Sequence, residues 1–294
     1  MTNPGLGEAV SAEVALGGLR TAIEARVDDA GRAWLAAADA SPASLREARR
    51  LGSRALVGGF AERATATLPG TWGTVPVGEW KVDEAARTLL LARAAEGGDD
   101  PYGSLFAAYD AGDTGTRQAA LRALNFVRQA DPAKGLELVL DAGRTYLNVL
   151  LLAAWSGNPF SSANLDEHDY RKAVLKAFFC EVPVEGFLLL EQRADPELAK
   201  SMCEFMDERL AAGRTVPRAL WAIAALHPQP GLVARLIGNL EHPDALERRV
   251  AAVGLGRARD PRGEGFLAER LARESDEDVK AALEAALAQL KGPQ

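Results

Sequence analysis

Asp131-Pro132-Ala133-Lys134-Gly135-Leu136-Glu137-Leu138-Val139-Leu140-Asp141-Ala142-Gly143-Arg144 is the stretch that decides the fold class. Proline at a first helical position gives up an N–H that would have had no partner, and the aspartate before it can accept from an orphaned amide. Leu136, Val139 and Leu140 then fall on one face of a 3.6-residue period. The same punctuation recurs at Ser41-Pro42, Asp100-Pro101, Asp195-Pro196 and Asp260-Pro261. Between these starts the period returns, with Val82, Leu89 and Leu90, then Leu121, Leu124 and Val127. Strand-like alternation is almost absent. The pattern predicts an all-α fold of antiparallel helix pairs in an α-solenoid-like arrangement.

Helices are predicted near 9–38, 42–65, 82–96, 101–111, 114–129, 132–155, 165–180, 195–212 and 216–226, followed by four shorter ones. The exception is Leu68-Pro69-Gly70-Thr71-Trp72-Gly73-Thr74-Val75-Pro76-Val77-Gly78-Glu79-Trp80, whose prolines and glycines cannot continue a helix. It reads as an ordered loop whose Trp72 and Trp80 either pin it to the helices, the favoured reading, or bind a ligand. Toward the C-terminus, Arg248 to Asp260 resembles Lys280 to Gly292, each preceded by a shorter helix near Leu232–Leu240 or Phe266–Leu271. Small residues there permit close helix contact and larger aliphatics fill the seam, the grammar of short HEAT-like repeats. The expected organisation is a helical domain over 1–225, with HEAT-like repeats over 226–294 packed on it as a continuous extension.

The 294 residues are 48% hydrophobic, ample for a buried core. Lysine and arginine total 34 against 41 acidic residues, and the net charge of -7 offers phosphates or anionic lipids no general attraction. Nucleic acid is therefore not the expected partner. The N-terminus lacks the basic start and apolar run of an export signal. Val149 to Trp155, the longest strongly apolar patch, falls far short of the ~20 residues that cross a bilayer. A cytoplasmic protein with no transmembrane segment is expected. Cys180 and Cys203 are too few for a disulfide framework and read as buried reduced thiols.

Known catalytic signatures are missing: no phosphate-binding Gly-x-x-x-x-Gly-Lys-Ser/Thr, no Gly-x-Ser-x-Gly elbow, no His-Glu-x-x-His and no paired Cys-x-x-Cys. Gly254-Leu255-Gly256 lies within a predicted helix rather than after a strand. His227-Pro228 and His242-Pro243 read as solvent-facing turns, so no metal set or cofactor is expected. Polar residues concentrate instead between Arg144 and Arg214: Arg144, Asn148, Asn158, His168, Lys176, Glu191, Arg193, Asp195 and Arg209. The acidic residues of Asp166-Glu167-His168-Asp169-Tyr170 suit the positive end of a helix dipole, or else an acid–base or divalent-metal site. Lys176 follows His168 by eight residues, about two turns, so both can project toward one cavity if that face turns inward. Among Val174, Leu175, Ala177 and Phe178, Lys176 is either a snorkelling surface residue or a partly buried cation facing a polar ligand.

Several blocks in this region resemble the EboA family. They are Asn158-Pro159-Phe160, Val174-Leu175-Lys176-Ala177-Phe178-Phe179, Leu190-Glu191-Gln192-Arg193-Ala194-Asp195-Pro196-Glu197-Leu198-Ala199 and Glu208-Arg209-Leu210-Ala211-Ala212-Gly213-Arg214. Upstream, Asp141-Ala142-Gly143-Arg144-Thr145 and Ala85-Ala86-Arg87-Thr88-Leu89-Leu90-Leu91 extend the similarity, which spans roughly 80–260. Two places depart from the family pattern. Arg171-Lys172-Ala173 stands where the family commonly has Asn-Gln before Val-Leu-Lys, and Ser161 follows Asn158-Pro159-Phe160 in place of a second proline. The resemblance implies a helical protein encoded with a small biosynthetic set: a membrane prenyltransferase-like protein, a TatD-like hydrolase, and sugar-processing or dehydroquinate-synthase-like enzymes. It implies a role in metabolite traffic, including export of scytonemin-type pigment precursors, and assigns no catalytic residue.

The resulting expectation is a non-catalytic binding or scaffold protein for a specialised metabolite precursor. Arg144 and Arg193 would contact an anion or carbonyl, Asn148 and Asn158 would orient the ligand, and Lys176 would supply a point charge, with His168 and Glu191 beside them; the other reading has Arg144 satisfying helix carbonyls and Arg193 with Asp195 bracing a helix start. One alternative is an enzyme with His168 or Glu191 as general acid–base and Lys176 stabilising negative charge. The other is a protein-binding HEAT-like scaffold holding a partner of the same biosynthetic set.

Overall fold

The computed structural model describes residues 4–292, and its elements are almost entirely helical, as the capping pattern predicts. The chain divides into two compact units, the first ending at Leu189 and the second beginning at Leu190. No helix among the described residues is long and apolar enough to cross a membrane.

In the first unit the central element is the helix Val82–Glu96, buried on every side over most of its length. The helices Ala12–Glu24, Pro101–Ala111 and Thr114–Ala123 pack around it, with the 3-10 turn Ala48–Leu51. A helix enclosed all round reads as apolar all round, yet this one carries Asp83 and Arg87, paired at 3.0 Å, and Glu84, which binds Arg122 of a neighbouring helix at 2.9 Å. The Arg122 guanidinium also stacks 4.6 Å from the centre of the Trp80 ring.

Several predicted long helices are interrupted. The 9–38 segment divides into Ala12–Glu24 and Asp29–Ala37, because Asp28 leaves the helix to accept from the Gly31 amide. The 42–65 segment breaks at glycines Gly52, Gly58 and Gly59 into Pro42–Glu47, the 3-10 turn and the short Phe60–Arg63. The 132–155 segment becomes Ala133–Arg144 and Asn148–Trp155. There Thr145 turns extended, and its hydroxyl donates to the Ala142 carbonyl at 2.8 Å while accepting from the Leu147 amide. A threonine hydroxyl that serves the backbone in this way competes with the helical ladder.

The predicted loop is ordered, but as a two-stranded antiparallel hairpin, Thr67–Gly70 with Gly73–Pro76, in which Gly70 faces Gly73. Pro69, Pro76 and three glycines mask its alternation in sequence, although Val75 and Val77 point inward. Gly73 is required: its φ is 134°, and a Cβ there would lie 2.4 Å from the Leu6 carbonyl oxygen. Trp72 pins the hairpin, its indole N–H donating to the Val127 carbonyl at 3.2 Å and its ring meeting Phe160 edge-on at 5.3 Å. Trp80 packs against Phe126.

Tyr102 also packs edge-on against Phe160, fully buried, with a hydroxyl that has no hydrogen-bond partner among the described residues. Burial pushes its pKa up from 10.0 to about 12. A raised folded-state pKa gives stability that is complete below pH 10 and lost as pH climbs toward 12. Tyr102→Phe is expected to melt at or above the temperature of the parent at neutral pH, since it removes an unsatisfied polar group. It should also lose less stability than the parent between about pH 9 and about pH 11.5, on the two sides of the ordinary tyrosine value, which thermal melts at the two pH values would check.

The second unit contains Pro196–Ala211, Arg218–Ala224 and two later helix pairs, Leu232–Asn239 with Ala245–Ala258 and Glu264–Arg273 with Glu277–Lys291. Ala245–Ala258 and Glu277–Lys291 lie against each other closely enough that a Cβ on Gly256 would be 2.9 Å from the Ala286 Cα. Gly254 likewise faces Leu236 of the preceding helix. At the base of Glu277–Lys291, Glu274 is buried under six donors. Arg248 reaches its two oxygens at 2.8 and 2.9 Å, and Arg270 adds two bonds at 2.9 and 2.8 Å. The amides of Ser275 and Asp276 complete the set at 2.9 and 3.0 Å. These bonds, led by that from Arg248, hold the Glu274 pKa far below the ordinary glutamate range.

Candidate functional site

The interruption at Thr145–Leu147 ends the helix Ala133–Arg144 beside the helix Glu167–Phe179, and a cavity of about 470 Å³ opens between them. One wall is Val139, Leu140 and Gly143; the facing wall is Asp169, Lys172, Ala173 and Lys176, spaced i, i+3, i+4 and i+7 on a single helical face. Trp155 and Leu165 close the inner end. Trp155 is only 5% exposed and packs against Phe187, which in turn meets Tyr170 edge-on. The Tyr170 hydroxyl donates to the Leu188 carbonyl at 2.9 Å, which fixes that aromatic backing. The volume falls within the range of small-molecule sites. A second cavity, bordered by Asp28, Arg50 and Arg54, measures only about 160 Å³.

Cations gather at the rim. Lys176 is half-buried; its ammonium donates to the Gly143 carbonyl at 2.6 Å and sits 4.5 Å from the centre of the Tyr146 ring. Arg144 is 81% exposed, and its nearest carboxylate, Asp141, lies 3.9 Å away. Lys172 stands 3.8 Å from Asp169. The last two distances are at the outer edge of an ion pair, whereas Arg218 of the second unit meets Asp244 and Glu247 at 2.9 and 2.8 Å.

Of the residues that the sequence singled out, Arg144 and Lys176 come together at this pocket. Asn148 opens the next helix and donates its amide to the Cys180 carbonyl at 3.3 Å. Asn158 is buried in the fold. Its side-chain oxygen accepts from the Ser161 amide at 3.1 Å, and its NH₂ donates to the carbonyls of Ala153 and Leu121 at 2.9 and 3.4 Å. It thereby starts Pro159–Asn164, an Asn-Pro version of the Asp-Pro device. His168 is exposed on the first turn of its helix, behind the cap that Asp166 makes to the Asp169 amide. Glu191 and Arg193 belong to the second unit, where Glu191 pairs with Arg257.

Sequence reasoning passed over Trp155, Leu165 and the pocket-lining positions of Asp169 and Lys172. The available signal was the phase of the Glu167–Phe179 helix: counting from Lys176 backward by three, four and seven reaches Ala173, Lys172 and Asp169, not His168. Lys172 is also one of the two charged residues that depart from the family pattern. His227, expected to face solvent, is half-buried, and its Nε2 lies 2.9 Å from the Ala194 carbonyl. His242 is exposed as expected. Both cysteines are unpaired and half-buried, and burial raises the Cys203 pKa. No group of three or more metal-ligating side chains occurs among the described residues.

No curated protein and no solved structure matches the chain. A family model described as metabolite traffic protein EboA matches residues 47–225, a span of more than half the chain that includes every residue lining the pocket. The chain belongs to the EboA family.

Proposed function

We propose that the chain is a non-catalytic binding protein that holds a specialised metabolite precursor in the pocket between Ala133–Arg144 and Glu167–Phe179 and passes it between proteins of one biosynthetic set in the cytoplasm. The observation that carries this reading is the pocket itself: a volume of about 470 Å³ lined by Val139, Leu140, Trp155, Leu165 and Ala173, with Arg144, Asp169, Lys172 and Lys176 as its charged residues. Such a lining favours retention of an apolar body through loss of water-exposed surface, with few polar contacts to fix its orientation. The metabolite-traffic description of the family agrees with carriage. The enzyme alternative needs Lys176 beside His168 or Glu191. Lys176 is instead engaged by Gly143 and Tyr146, while His168 faces solvent and Glu191 binds Arg257.

Native mass spectrometry of the protein purified from its own host tests the proposal. The expected result is one retained organic molecule, released chemically unchanged, and lost from an Ala173→Phe variant whose side chain grows into the cavity. Recovery of a converted compound would favour the enzyme. A co-purifying protein with the pocket empty would favour the scaffold.

A further inference from the structure

We infer that the pocket selects an amphipathic organic anion: an apolar or aromatic body seated toward Trp155, with one carboxylate, sulfonate or phosphate group held at the rim by Arg144, Lys172 and Lys176. This rests on the carriage reading above and adds the chemical class of the ligand. The asymmetry of the site carries it. Three cations face the mouth against one lining carboxylate, Asp169, while the interior offers aliphatic and indole surface. A cationic ligand would meet repulsion at the only polar end, and a neutral apolar one would leave the cations unanswered.

The cations also have donors to spare. Arg144 and Lys172 make no hydrogen bond among the described residues, and their carboxylate neighbours stand off at 3.9 and 3.8 Å. A guanidinium offers five N–H donors and an ammonium three, so Lys176 retains capacity after its bond to Gly143. An anion at the rim would gain charge-assisted hydrogen bonds, stronger than neutral ones and least screened where the Lys176 side chain is half-buried.

Two dyes that share an aromatic body separate the contributions: 8-anilinonaphthalene-1-sulfonate and its uncharged counterpart N-phenyl-1-naphthylamine, titrated by fluorescence into the full chain. The expected outcome is sulfonate affinity ~10-fold or more above that of the neutral dye, equivalent to ~1.4 kcal/mol. The Arg144→Gln/Lys172→Gln double variant alters two exposed side chains and should fold normally. It should weaken the sulfonate dye ~10-fold and leave the neutral dye within ~2-fold. Equal affinity for the two dyes, or a double variant that binds the sulfonate as the parent does, overturns the inference. Ala173→Phe, or Leu140→Phe if the first variant melts early, should abolish both signals. If both dyes still bind that variant as they bind the parent, the pocket assignment itself fails, a result distinct from loss of head-group selectivity alone.

Discussion

Replacing Glu274 with alanine is expected to cost the second unit ~3–5 kcal/mol, because it strands two buried arginine side chains whose shared counter-ion has gone. Arg248 and Arg270 are 10% and 14% exposed at the side chain, and Glu274 is fully enclosed. The carboxylate also accepts from the Ser275 and Asp276 amides at the entry to Glu277–Lys291, so the substitution removes the start of that helix as well as the ion pairs. Hydrogen exchange should report the loss as faster opening of Ala245–Ala258 and Glu277–Lys291; unchanged protection in both helices would contradict it. The sign of the pH dependence follows from the depressed folded-state pKa. The stabilisation is present above the ordinary glutamate value of 4.5 and is lost as pH falls below it. Glu274→Gln should therefore flatten the acid side of the stability curve, and an acid limb as steep as that of the parent would assign the effect to other carboxylates.

Asn158→Ala is the second large effect, expected at ~2–4 kcal/mol in the first unit. It deletes an N-cap, and it leaves the Ala153 carbonyl and the Ser161 amide without the side chain that satisfies them in the interior. Its consequence for binding is the more informative part. Asn158 serves three backbone groups, so under conditions where the variant remains folded its affinity for the sulfonate dye should stay within ~2-fold of the parent. Denaturant melts and dye titration on the same preparation separate the two readouts. A large loss of affinity with little loss of stability would return Asn158 to the role of ligand-orienting amide that its sequence context suggested.

That contrast shows what the sequence made legible. Short-range chemistry was readable: Asp100-Pro101 starts a helix at Pro101 that runs to Ala111, and the helix Val82–Glu96 has the bounds its periodicity gave. Arg144 and Lys176 were recognisable as cations out of place in apolar helix. What could not be read was the identity of distant partners. An asparagine before proline looks the same whether its amide meets a ligand or the Leu121 carbonyl, 37 residues away. The pocket face of Glu167–Phe179 was mislaid for a related reason. Adjacent helical residues point ~100° apart, so choosing His168 rather than Asp169 as the companion of Lys176 turned the reading to the exposed side. The hairpin escaped because Pro69 and Pro76 are residues that usually argue against strands.

The break at Thr145 also determines where the charge of Lys176 goes. In an unbroken helix the Gly143 carbonyl would accept from the amide four residues on; here the Leu147 amide turns to the Thr145 hydroxyl, and the ammonium of Lys176 takes its place at 2.6 Å. A side chain from another helix completes the ladder. Any change that drew Lys176 away would leave the Gly143 carbonyl without that partner. One ammonium thus ties the end of Ala133–Arg144 to the helix Glu167–Phe179, holding the two walls of the pocket together where the first of them stops.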